Sequence, residues 1–222
     1  MATMPGSSPL PRGATIEGAL PDAGSAYDGH AALYDRLVAS RIYNHLAWSA
    51  DPVDYEGFAR RAVTSASGPL LEVAAGTAIA SAPAYRASDR PVVVTDRSRD
   101  MLTHAARRLA DGGRVRPGVR FVQADAFDLP FAPGTFDTVL CLGFLHLVDD
   151  PLDLSRRLRR QLRPGGRLFF SSLVPATRVG SAYLTLLHRA GQVATPRTPN
   201  DLAQLFGTTV RRRGCMAYVE LG

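Results

Sequence analysis

Leu70-Leu71-Glu72-Val73-Ala74-Ala75-Gly76-Thr77-Ala78 reads as a short buried strand running into a small-residue turn that opens a helix. An acidic residue followed by tiny side chains and a glycine lets a ligand lie against bare backbone. A second apolar run, Val92-Val93-Val94, leads to Asp96, twenty residues past Gly76. Strand, small-residue turn, helix, strand, acid is the nucleotide-cradling half of a doubly wound sheet. By itself the pattern points to an adenosine-containing ligand and leaves its identity open.

Outward from that stretch, strands alternate with helices. Val119 to Gln123 predicts a third strand closing on Ala124-Asp125-Ala126, and Thr138 to Leu142 a fourth. Ser98 is placed to N-cap a helix running through Leu109. Leu152, Leu154, Leu158 and Leu162 give a further helix its buried stripe, and a run of Arg residues crowds its other faces. Arg163-Pro164-Gly165-Gly166 reads as a tight turn launching a fifth strand, Arg167 to Leu173. Helical stretches at Ser181 to Ala190 and from Thr198 precede two short strands, Thr208 to Arg213 and Cys215 to Leu221. The expected fold is α/β: a Rossmann-like, doubly wound, seven-stranded and mostly parallel sheet with a C-terminal antiparallel hairpin.

On the N-terminal side, residues 1–24 are rich in Pro, Gly, Ser and Ala without apolar period, and read as a disordered tail. Residues 25–66 carry helical patterns, Ala31 to Ala47 and Asp54 to Val63, and are expected to form a helical lid. Residues 67–222 make the ligand-binding domain.

The chain has 222 residues, a net charge of +6, and no lysine, so every cation is Arg. These Arg residues are scattered or paired on what reads as a solvated helix face, not striped with aromatics, so no nucleic-acid partner is expected. No stretch approaches the ~18 apolar residues of a membrane span, and no signal peptide is evident. Cys141 and Cys215 offer neither metal spacing nor a disulfide framework. The protein is expected to be cytoplasmic and to act without a membrane.

A dinucleotide turn would carry Gly-x-Gly-x-x-Gly, whereas this one has only Gly76, with Ala74 and Ala78 on either side. Glu72 would repel a pyrophosphate and suits a ligand with positive charge on an amino-acid moiety. That favours a sulfonium nucleoside.

On these residues the chain resembles the class I S-adenosylmethionine-dependent methyltransferases, in the small-molecule branch that includes the ubiquinone and menaquinone C-methyltransferases. The resemblance runs through Leu71 to Ala78, Val94 to Leu102, Gln123 to Phe131, Gly134 to Val139 and Leu162 to Leu168, in family order. It implies S-adenosylmethionine as cofactor and assigns roles by position. Glu72, Ala74, Gly76 and Thr77 would hold its methionine part, and Asp96 both ribose hydroxyls. Arg97 and Met101 would flank the adenine, and Asp125 with Ala126 would read its edge. Leu142 would sit beside the methionine carboxyl or the transferable methyl. Tyr27 would reach the cofactor from the lid, and Tyr34 the reaction centre. Ala78 departs from the family, which usually has Gly there.

The Asp/Asn-Pro-Pro-aromatic tetrad of many amino-group methyltransferases is absent, with Leu142-Gly143-Phe144-Leu145 in its place, and nothing there suggests a metal. His146 is the one ionisable side chain just past the fourth strand and the candidate general base. The resulting expectation is metal-free methyl transfer to O, N or C of a small molecule. Two alternatives stay open at this point: a non-methylating reaction such as a cyclisation at the same site, or a non-enzymatic interaction module.

Overall fold

The computed structural model describes residues 9–18, 20 and 51–222. Among the described residues eight strands form one sheet: β1 (Ile16–Glu17), β2 (Leu70–Glu72), β3 (Val92–Asp96), β4 (Val119–Gln123), β5 (Phe136–Cys141), β6 (Leu162–Leu173), β7 (Val210–Arg213) and β8 (Met216–Leu221). Their order across the sheet is β1-β4-β3-β2-β5-β6-β8-β7. All pairings from β1 to β6 are parallel, and β6-β8-β7 is antiparallel. The described helices are α1 (Pro52–Thr64), α2 (Ala82–Arg86), α3 (Arg99–Leu109), α4 (Pro151–Arg160), α5 (Arg178–Arg189) and α6 (Pro199–Phe206).

Period-2 alternation in apolar strands sends successive side chains to opposite faces of the sheet. Leu70, Val92 and Val94 join one core with Phe58 and Ala62 of α1, Tyr85 of α2 and Leu102 of α3. Leu71, Val93 and Val139 join the other with Leu154 and Leu158 of α4 and Leu202 of α6. Side-chain caps start several of the helices. Ser98 accepts from the Met101 amide, Asp150 from that of Asp153, and Thr198 forms a capping box with Asp201. The Arg side chains of α4 bond to their own surroundings: Arg157 to Asp153 and the Phe127 carbonyl, Arg159 to the Gly222 carbonyl.

Three expectations are corrected. The sheet has eight strands, not seven, because part of the supposed disordered tail is the extra one. Arg12 exchanges backbone bonds with Gly113 and Val115, Ile16 pairs with Phe121, and Glu17 forms an ion pair with Arg120. A two-residue strand buries a single apolar side chain, Ile16, too little to leave a periodic signal. Second, residues 163–166 belong to β6: the register jumps from Phe136↔Leu162 to Thr138↔Arg167, so Pro164-Gly165-Gly166 is a bulge inside the strand. Third, α1 lies in the helical layer itself, with Phe58, Ala59, Ala62 and Val63 buried, so no domain boundary separates it from the sheet at residue 66. Residues 25–50 of the expected lid, with Tyr27 and Tyr34, lie outside the described residues.

Candidate active site

The C-terminal ends of β2, β3, β4 and β5 face one side, and the sequence-predicted residues within the described chain converge there. Past Glu72, β2 continues its bonding: the Val73 amide donates to the Leu140 carbonyl and the Ala75 amide to that of Thr95. Then the chain twists. Ala74, Gly76 and Ala78 all take left-handed φ, at 52°, 55° and 53°. Only Gly adopts that conformation without a steric cost, so the two alanines hold strained backbone in the turn. Ala78 is 2% exposed, so its methyl is covered by protein and does not face the crevice.

Asp96, the last residue of β3, ties this turn to the next one. One carboxylate oxygen accepts from the Gly76 amide at 2.7 Å and the other from the Ser98 amide at 2.8 Å. At the end of β4, Asp125 accepts from the Phe127 amide at 2.9 Å, and the Arg97 guanidinium stands 4.0 Å away. Ala126 and Leu142 border the same end of the sheet and are buried.

Three assignments take a different form from the expected one. Glu72 is fully enclosed and accepts from the Ser81 hydroxyl at 2.8 Å. Burial pushes its carboxyl up to about 7, against the opposing pull of Ser81 and with a further push from the Asp96 charge. Thr77 turns its hydroxyl and its carbonyl to Arg108 of α3, leaving backbone rather than side chain at the turn. Met101 is core, 3% exposed in the first turn of α3.

His146 lies in a short 3-10 turn, Leu145–Leu147, past the end of β5. Its Nδ1 accepts a long bond, 3.4 Å, from the Leu173 amide, so the proton of the neutral ring sits on Nε2. Burial holds the imidazole down at about 4. At neutral pH the ring is uncharged, and with Nδ1 accepting from Leu173 the protonated Nε2 is a donor, which is the wrong form for a general base.

Two residues join the site that the sequence did not single out. Tyr55 on α1 places its hydroxyl where a side chain of Gly143 would be, 2.6 Å from the ideal Cβ position. Gly143 is left-handed, φ 61°, and its amide donates to the buried Ser171 hydroxyl at 2.8 Å. A glycine directly after a strand was the available signal for that approach. Tyr55 carried no such signal of its own.

A parallel sheet with the β4-β3-β2-β5 switch point, a strained small-residue turn and acids closing two neighbouring strands places this chain in the class of doubly wound α/β proteins, whose ligands bind at the C-terminal ends of the strands. Residues 71–170 match the family model described as a methyltransferase domain. A demethylmenaquinone methyltransferase of Clavibacter sepedonicus is 42% identical over 125 residues, 54% of this chain and 49% of that one. A ubiquinone/menaquinone biosynthesis C-methyltransferase of Idiomarina loihiensis is 33% identical over 175 residues, 75% of this chain and 66% of that one. Among solved structures, a geranyl diphosphate C-methyltransferase of Streptomyces coelicolor, bound to Mg2+, geranyl diphosphate and S-adenosyl-L-homocysteine, superposes with a TM-score of 0.60 at 16% identity. That match covers 76% of each chain and shows the fold. The chain belongs to the class I S-adenosylmethionine-dependent methyltransferases and is similar to the ubiquinone/menaquinone C-methyltransferases. It spans between about half and two thirds of the length of these two curated relatives. Among the described residues no helix is long and apolar enough to cross a membrane.

Proposed function

We propose that this chain transfers a methyl group from S-adenosylmethionine to a small-molecule acceptor by direct displacement. The observation that carries the reading is the Asp96 carboxylate, held by two backbone amides at the mouth of the turn formed by Ala74 to Ala78. The residues present fit the cofactor. Left-handed backbone at residues 74, 76 and 78 gives a turn a ligand can approach closely. Asp96 ends β3 beside the turn, where its carboxylate can meet a ribose diol, and Asp125 with Arg97 and Ala126 stands one strand further out for the adenine. Glu72 would act through the turn rather than by direct contact, because Ser81 and surrounding apolar groups enclose it.

Bound there, S-adenosylmethionine supplies an electrophilic methyl on a sulfonium leaving group. The protein's part is then mainly approximation, holding donor and acceptor in line, which is worth several kcal/mol on the order of 7–11 at best. His146 contributes a neutral N–H donor that can orient an acceptor oxygen. Relatives named for menaquinone and ubiquinone biosynthesis favour a quinone-like ring carbon as the acceptor atom over N or O. Tyr27 and Tyr34 remain proposed contacts from the N-terminal segment.

Titration calorimetry with S-adenosylmethionine and S-adenosylhomocysteine tests the reading. Asp96→Ala is expected to weaken both ligands about tenfold or more, since bonds to a charged acceptor are worth roughly 1.5–3 kcal/mol. Unchanged affinity would assign the ribose to another group. Release of label from methyl-labelled cofactor into quinol acceptors then separates methyl transfer from the cyclisation and non-enzymatic alternatives.

A further inference from the structure

The helix α1 runs antiparallel to its neighbouring strands. Its last carbonyls, those of Ala62 and Val63, meet Arg90 at the N-terminal end of β3, whereas Tyr55 in its first turn reaches Gly143 beyond the C-terminal end of β5. The sheet order puts β3 and β4, with Asp96 and Asp125, on one side of β2 and β5 on the other. A ligand whose ribose lies on Asp96 and adenine by Asp125 therefore extends its amino-acid end across the β2 turn towards β5. Gly143 follows Leu142 there, and its backbone is pinned by the fully buried Ser171. The missing side chain of Gly143 is what admits the Tyr55 hydroxyl.

Resting on the cofactor reading above, we propose that Tyr55 is a positioning residue for the sulfonium end of the cofactor and sets the preference for the methylated form over its demethylated product. A phenol oxygen next to a desolvated sulfonium stabilises its positive charge and the polarised hydrogens of its methyl group. The neutral thioether left after transfer has no such charge. The hydroxyl therefore tightens binding before transfer and is indifferent to the product. Gly143 and Ser171 serve this arrangement at one remove, by leaving and holding the space the hydroxyl occupies.

The test compares the two ligands on the same protein. Calorimetry on the full chain should show Tyr55→Phe weakening S-adenosylmethionine about fivefold, the scale of one charge-assisted hydrogen bond, while S-adenosylhomocysteine changes less than about twofold. Gly143→Ala, whose Cβ would stand where the hydroxyl sits, should lower the same ratio. Combined with Tyr55→Phe it should add little, because both remove one contact. Equal weakening of both ligands by Tyr55→Phe would make Tyr55 a structural residue and overturn the proposal. So would an unchanged ratio. A wild-type chain that binds neither ligand would overturn the cofactor reading itself, a result distinguishable from both.

Discussion

Ala74 and Ala78 carry the same backbone strain in different surroundings, and the difference decides what a glycine would do at each. Relieving a left-handed alanine is worth about 1–2 kcal/mol, and removing a buried methyl costs about 0.8 kcal/mol plus whatever cavity remains. At Ala78, buried in the core at 2% exposure, the two nearly cancel. At Ala74, only partly covered, relief wins. Ala74→Gly should raise stability by about 1 kcal/mol, or about 2–4 °C in Tm, and Ala78→Gly by less than about 0.5 kcal/mol. Thermal denaturation giving the reverse order would show the strain to be distributed otherwise. Glu72 makes a second prediction at this scale. Its carboxyl lies at about 7 in the folded chain, against an ordinary 4.5. Between those values the folded state keeps a proton that the unfolded state releases, so stability falls as pH rises from 4.5 to 7 and levels off above. The contribution is on the order of 3 kcal/mol. Glu72→Gln, which still accepts from Ser81, should flatten that slope in urea denaturation at pH 5 and pH 8. A variant that keeps the wild-type slope would place the titrating group elsewhere.

Among the elements, α1 depends on one residue outside it. Helix C-termini leave carbonyls unpaired, and here the Arg90 guanidinium takes those of Ala62 and Val63 together with the Gly68 carbonyl and the Thr138 hydroxyl. Burial costs this charge, lowering the Arg90 pKa, and the fixed fork of donors offsets that cost by satisfying four acceptors at once. Arg90→Met should destabilise the protein by about 3–5 kcal/mol, because it takes the guanidinium from the Val63 and Gly68 carbonyls while only Ala62 keeps its Ser65 donors, and Arg90→Lys should recover only part. Hydrogen exchange should localise the loss to the last turn of α1. A change below about 1 kcal/mol would mean that water replaces the guanidinium there. The position of Tyr55 at the other end of α1 follows from this clamp.

For the whole molecule, the sheet is extended at one edge by β1, held by Ile16 and by the ion pair of Glu17 with Arg120. Exposed ion pairs contribute at most about 1 kcal/mol, so the apolar side chain carries most of the attachment. Ile16→Ser should lower the urea midpoint by the equivalent of about 1–2 kcal/mol, the burial of one isoleucine less what the serine retains. An unchanged midpoint would show that the edge strand is not coupled to the domain.

Where side-chain period and turn chemistry act locally, the sequence alone determined the result. Val92–Asp96, Val119–Gln123 and the Ser98-capped helix stand where period and cap place them. The convergence of Gly76, Asp96 and Asp125 was also legible, because parallel strands bring their C-terminal ends to one edge whatever the intervening helices do. Three other features were decided only by tertiary structure. The seclusion of Glu72 comes from Ser81 and the surrounding core, and the donor form of His146 comes from the Leu173 amide. Tyr55 meets Gly143 at a sequence separation of 88. Protonation state and long-range contact depend on what lies nearby in space, and separation along the chain carries no record of that.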